Sequence, residues 1–489
     1  MAWKRVLIGI GLVGLVSAVA VIAGLSLVRG AGPVPEESLA LQRLALPPGQ
    51  GENAFDALWL LEYPVPGDER AAIVEADAMR EQAWLDALDT GEADLSDAQR
   101  RTGASARYPR QAPDEREREA FCGSDPAEPC LRQVREHAAH VDAVLARYAP
   151  LLDRIEALEG YGHLRNRFPD HMSLTLPPYQ LILLARTRDA RRFALGETGQ
   201  AMDGLCRRAT ALRRLAADSD QVIFHLIALR SATDYDARLF AEMLAELPAG
   251  APIPPACDVA FAPMTMAEAE GFCRVFQGEF ALWAGTLRRS HGIDAAAKSR
   301  FWRLADWFVY DPEHTIARVA MHRQGACAPE LAQAILDDGP IGDVGGISSS
   351  FTLRCLANYF GCVLADISAG PIQDYARRLQ DARARVGLVR AVVALRRARM
   401  PGLGPSTTDA TGLPVDPLAV AVIDEGAFAR AAAEPMSEAR HLRLSEGGRS
   451  ARIDLFGGAE TDARGWQIPL PPVLWPQAAA GNEERASGN

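Results

Sequence analysis

The sequence predicts a mainly α protein: an irregular bundle of antiparallel helical hairpins behind one transmembrane helix, with a small α+β tail at the C-terminus. Three observations predict it. Residues 6–28 are uncharged and apolar, residues 130–399 carry apolar stripes at helical spacing between turn residues, and after Met400 the pattern shortens to strand-like runs. The chain has 489 residues and is 48% hydrophobic, enough for substantial cores. Four segments follow from this pattern: 1–32 a cytoplasmic stub and anchor, 33–128 a tether with an N-terminal helical and loop segment, 129–400 the helical body, and 401–489 the strand-containing tail with a disordered end.

At the N-terminus, Lys4 and Arg5 precede the apolar run and Arg29 closes it. Its 23 residues would span about 35 Å as a helix, enough for a bilayer core. Ala18-Val19-Ala20 has the small-residue form of a signal-peptidase site, but the sequence stays apolar beyond it, which favours an uncleaved anchor. Basic residues before the span place the bulk of the chain on the periplasmic side of an inner membrane.

Pro and Gly mark residues 32–51 as a tether, and Asn53 caps a short helix with Phe55, Leu58, Trp59 and Leu61 on its apolar face. Residues 69–89 read as a helix and 90–120 as a polar stretch, in which "DEREREA" is solvated and mobile. The body then reads as helices over 130–159 (kinked at Pro150), 178–196, 199–217, 219–247, 265–290, 294–309, 312–323, 329–337, 350–368 and 371–399. Ser219 or Asp220 is placed to cap the helix over "QVIFHLIALR". On 371–399, Tyr375, Leu379, Val386, Val389 and Val393 form one stripe, which turns most of the eight arginines to solvent. In the tail, residues 418–428, 440–446 and 451–458 read as strands.

Eight cysteines in an oxidising compartment fit four disulfides. No C-x-x-C occurs. Cys122 and Cys130 flank a loop containing Gly123, Pro126 and Pro129, so a disulfide between them would pin the loop to the next helix start. Cys355 and Cys362 stand about 10 Å apart along one expected helix and cannot bond while it is intact. Each then needs a partner elsewhere or remains a buried thiol.

The candidate chemistry is thin. Glu268 and Glu279 share a helix face about 16 Å apart, too far for a paired-carboxylate hydrolase, which leaves Glu279 as a lone carboxylate. Asp311, Glu313 and His314 cluster in "DPEHT", where Asp311 also reads as an N-cap and Pro312 as the first helical residue. Asp311, His314 and Glu279 are therefore the catalytic candidates. His137 and His140 stand at i, i+3, a spacing that allows two metal ligands, but no third ligand can be assigned, so no metal site is expected. His225 within "VIFHLIAL" reads as a hydrogen-bonded core residue. Ser349 or Ser350 in "GGISSSF" reads as a cap. No P-loop, GxSxG elbow or HExxH is present, and no cofactor is implied. A net charge of −11 argues against nucleic acid as a partner.

Several stretches carry a resemblance: residues 53–63, "CLRQVR" from Cys130, "AEMLAELP" from Ala241, "EAEGFCRVFQGEFA" from Glu268 and "LANYFGCVLADI" from Leu356. Together they resemble a group of N-terminally anchored helical envelope proteins of Gram-negative bacteria. The long helix ending "GLVRAVVALRRAR", followed by "GLPVDPLAV" with Asp416-Pro417 and then strands, resembles a pseudopilin-like tail. These resemblances imply a fold, a location and association with other envelope proteins, not an activity. The expectation is an interaction or assembly factor rather than an enzyme; the alternative is a helical envelope hydrolase using a single carboxylate.

Overall fold

The computed structural model describes residues 48–90, 92–93, 102–123, 128–248, 250–297, 310–342, 353–368, 372–399, 440–445, 448–456 and 465–475, with a few residues between 16 and 24. The chain is mainly helical with one small sheet. The run 6–28 lies largely outside the described residues. Among the described residues no helix is long and apolar enough to cross a membrane. The expected strand 418–428, the Asp416-Pro417 pair, Ser349 and Ser350 also lie outside them.

A short helix, α1 (Phe55–Trp59), and a long one, α2 (Gly67–Thr90), precede the body. The α2 carboxylate of Asp77 is buried and accepts bonds from Trp59 Nε1, Thr102 Oγ1, the Gly103 amide and Arg80, which ties α1 and the following loop to α2. The "DEREREA" stretch is largely exposed, in keeping with its reading as solvated, but it is ordered rather than mobile. It forms α3 (Glu115–Arg118), closed by a capping box between Asp114 and Glu117. Glu117 also binds Arg147 at 2.5 Å and the Tyr148 hydroxyl.

The single helix expected over 130–159 is three helices, α4 (Cys130–Glu136), α5 (Ala138–Arg147) and α6 (Ala149–Glu156). The breaks fall at His137 and Tyr148. The second has a direct cause: Pro150 lacks an amide donor and its ring clashes with the preceding turn, so it sits in the first turn of a new helix.

α7 (Ala185–Ala194) and α8 (Thr198–Ala217) follow, then α9 (Val222–Arg230). Neither Ser219 nor Asp220 caps α9 through its side chain in the expected way. Ser219 Oγ accepts the Gln221 amide, and the Asp220 carboxylate turns away to accept the Asn166 amide at 2.9 and 3.1 Å. α9 continues through one π turn, Ser231–Tyr235, into α10 (Asp236–Glu246). His225 is buried with Nδ1 2.9 Å from the Ala216 carbonyl, as a core histidine should be.

Next come α11 (Pro255–Ala260) and the long α12 (Met266–Ala297). A reciprocal pair of bonds between Thr265 and Glu268 closes the α12 N-terminus. Glycines at 271, 278 and 285 recur every seven residues on one face of α12. A Cβ at Gly278 would lie 1.9 Å from the Asp220 carbonyl oxygen, and one at Gly285 1.9 Å from that of Asp170. Only glycine lets these loops lie directly on the helix.

The second half of the body contains α13 (Pro312–Arg323), α14 (Pro329–Leu336), α15 (Leu353–Leu356), α16 (Tyr359–Ser368) and α17 (Ile372–Ala398). A turn at Ala357 and Asn358 interrupts the expected helix 350–368, and across it Cys355 and Cys362 are joined. The exclusion of that pair therefore fails because the helix on which it rested is broken. Asn358 holds the turn: its Oδ1 accepts the Asp311 amide at 2.7 Å and its Nδ2 donates to Thr315 Oγ1 at 3.1 Å.

α17 is not a one-striped helix with solvated arginines. Most of its surface is buried, Arg383 and Arg396 included, because it is covered by α14 and α10 on one side and by the tail sheet on another. Arg396 is accommodated by donating to the carbonyls of Pro248 and Ala251.

The tail is a three-stranded antiparallel sheet in the order β1 (Leu442–Leu444), β2 (Ser450–Ile453), β3 (Trp466–Pro469). Leu442 pairs with Ile453, and Ile453 with Trp466. Leu442, Ala451, Ile453, Trp466 and Ile468 face inward while Arg443, Arg452 and Gln467 face outward, the period-two pattern of a half-buried sheet. The inward residues join the same hydrophobic cluster as α1, α4, α8, α10 and the second half of α17. Two smaller clusters flank the two halves of α12, one with α14 and α17 and the other with α13 and α16.

Candidate functional site

Among the described residues a recess lies between α4 and α10, beside the end of β3, with a volume of about 360 Å³. Leu131, Pro129, Ala245 and Pro469 give it apolar walls, and Arg132, Arg135, Glu136, Glu242 and Glu246 supply its charges. α4 begins at the Cys122–Cys130 disulfide, so the staple fixes one wall. Glu242 holds the other wall to it by accepting the Leu131 amide at 2.9 Å. Burial pushes the Glu242 carboxyl up, and the amides of Leu131 and Cys130 partly offset this. At the rim, Arg135 and Glu246 form a two-pronged pair at 2.8 and 2.5 Å. Such a recess has the chemistry to hold a short segment that is apolar in its middle and charged at its ends.

None of the predicted catalytic residues lines this recess; Asp311 and His314 meet at the start of α13, and Glu279 is not bonded to either. Asp311 caps α13: its Oδ1 accepts the His314 amide at 3.2 Å, and its Oδ2 lies 2.8 Å from His314 Nδ1. His314 Nε2 is buried and has no hydrogen-bond partner among the described residues. An Asp–His pair of this kind orients an imidazole, but here no serine or cysteine binds its outer nitrogen among those residues. Glu279 is half-buried on α12 and is a countercharge for Arg323, whose guanidinium burial pulls down and Glu279 pushes back up. Arg323 ends α13 and Asp311 begins it, roughly 18 Å apart along the axis, so Glu279 serves the opposite end of that helix. Glu268 is committed to Arg213 and to its own helix cap.

His137 and His140 are both exposed, His137 at the break between α4 and α5 and His140 in the first turn of α5. No group of three or more metal-binding side chains occurs among the described residues.

The strongest electrostatic features are buried. Arg208 binds Asp189 and, at 3.0 Å, Asp236, which places it between α7 and α10. Burial opposes its charge, and the two carboxylates more than restore it. Arg440 binds Asp338 at 2.6 Å and Asp381 at 2.9 Å and lies 3.8 Å from the Phe456 ring centroid. It is the bolt between the tail and the body. Neither cluster opens onto a described recess, and their sequence separations gave no local signal.

All eight cysteines are paired: Cys122–Cys130, Cys206–Cys257, Cys273–Cys327 and Cys355–Cys362. Comparison with family models, curated proteins and solved structures finds no match to this chain.

Proposed function

We propose that this chain is a membrane-anchored helical protein of the periplasm that works by binding, as an interaction or assembly factor of the cell envelope. The observation that carries the reading is the complete pairing of the eight cysteines into four disulfides spread over the body, a state that persists in oxidising compartments. The apolar run 6–28 supplies the anchor in this reading, with the helical hairpins of the body held outside by the tether. Binding is favoured over catalysis because Asp311 and Glu268 are engaged at helix starts, and Glu279 makes no bond to the Asp311–His314 pair. The recess between α4 and α10 is the place for a partner segment.

A photo-crosslinking residue at exposed Arg132, activated in intact cells, tests this. The expected result is a discrete adduct with an envelope protein that is lost when Glu246→Arg removes the rim pair. Absence of an adduct, or one unchanged by that substitution, contradicts binding at the recess. The second reading, a hydrolase acting through one carboxylate, rests on the Asp311–His314 pair with its free Nε2. Turnover of an envelope polymer that persists in Asp311→Asn and His314→Gln variants would remove it.

A further inference from the structure

We propose that α16 lies on the lipid bilayer to which the chain is tethered, seated through a ridge of Leu356, Tyr359, Phe360, Val363 and Ile367. The inference rests on the reading of residues 6–28 as an anchor. Tyr359, Phe360, Val363 and Ile367 are 55%, 55%, 39% and 72% exposed and recur at helical spacing on α16, so they form one stripe, and Leu356, 50% exposed, precedes it at the end of α15. The opposite face of α16 is buried through Cys362, Ala365 and Ser368. The helix is thus apolar on nearly all sides, a pattern that belongs to helices covered on all sides. Elsewhere in the described body, exposed large apolar side chains such as Leu195 and Ile223 stand singly along the chain.

The ridge is rigid rather than a frayed end. The Cys355–Cys362 disulfide and the Asn358 bonds to Asp311 and Thr315 fix its base. Asp366, the acidic residue of α16, is tied down by Arg318 at 2.8 Å. The helix carries no lysine or arginine, so it would seat by apolar contact, with Tyr359 and Phe360 suited to the boundary between headgroups and acyl chains.

The chain itself names the occupant. Only residues 29–47 separate the apolar run from the described body, and nineteen residues reach at most about 65 Å and typically about 25 Å. The tether enters beside Asn53, which binds the Arg165 backbone. From there the chain runs to Asp170 and Met172, which touch α12 at Gly285 and Thr286. The same stretch of α12, through Phe280, Ala284 and Leu287, packs with α13 and α16. The point of tethering and the ridge are therefore braced on one part of one helix, and the bilayer is the apolar surface within reach.

The test is hydroxyl-radical footprinting of the full chain in nanodiscs of phosphatidylethanolamine and phosphatidylglycerol, sorted into discs holding one copy and discs holding two. Tyr359 and Phe360 are expected to react at least about fivefold more slowly, relative to intrinsic reactivity, than Leu195. Val363→Asp with Ile367→Asp, both at exposed positions, should restore the Tyr359 rate without changing the circular dichroism spectrum. A chain that enters discs but leaves the ridge as reactive as Leu195 overturns the proposal and leaves the anchor standing. A chain that does not enter discs overturns both. Protection confined to discs holding two copies makes the occupant a second copy and overturns the lipid assignment.

Discussion

Burial pushes the Asp220 carboxyl up to about 6, and the Asn166 amide only partly offsets that shift. The folded state therefore keeps a proton through the window from about pH 4 to 6 that the unfolded chain has already released. Stability from this group is present below pH 4 and lost as pH rises through 6, by up to about 3 kcal/mol. Urea unfolding against pH should show that decline, and Asp220→Asn should flatten it; an identical pH profile in the variant would contradict the assignment. Arg440 makes a second case. Arg440→Met leaves Asp338 and Asp381 buried without their shared cation and should lower stability by about 3–5 kcal/mol. A change under about 1 kcal/mol in denaturant unfolding would show that the tail is held by its sheet contacts instead. Asp311 was readable as a cap because the cap and Pro312 are adjacent in sequence. Arg440 was not, because its carboxylates lie 102 and 59 residues away.

Among the elements, α12 organises the second half of the body. Its three glycines admit the backbone of the loops at Ala217, Asp220 and Asp170. Gly278→Val should force the Asp220 loop off the helix and lower stability by about 3 kcal/mol or more, read from the urea midpoint. The heptad spacing of these glycines was visible in the sequence, but the neighbouring glutamates drew the reading. Staples differ by the loop they close. The chain-entropy relation gives about 4 kcal/mol for Cys206–Cys257, with a separation of 51, and about 2.5 kcal/mol for Cys122–Cys130, with a separation of 8. Paired cysteine-to-alanine variants should follow that order, and the reverse order would point to strain or residual structure in the unfolded chain. Helix existence was legible from apolar periodicity, because the stripes are local. Breaks within helices were less so: Pro150 announced itself, but the turn at Asn358 depends on contacts with Asp311 and Thr315 that lie about 45 residues away. β3 was missed because its four residues follow no alternating run long enough to stand out.

At the scale of the whole molecule, one large core joins the first half of the chain to the end of α17 and to the tail sheet. Four disulfides are distributed across that body, and in the reading proposed above residues 6–28 hold it at a membrane surface. The recess between α4 and α10 and the ridge on α16 are two different faces, the first proposed to take a charged-ended segment and the second to meet lipid. The mainly helical class and the Cys122–Cys130 pair were legible from composition and spacing, whereas the recess arises from α4 and α10 meeting 111 residues apart through Glu242. The most direct measurement is the intact mass of the chain isolated from native membranes, with thiols alkylated before and after reduction. The account expects a full-length chain with no alkylation before reduction and eight adducts after it. Eight reactive thiols before reduction, or a chain that lacks residues 6–28, would contradict it.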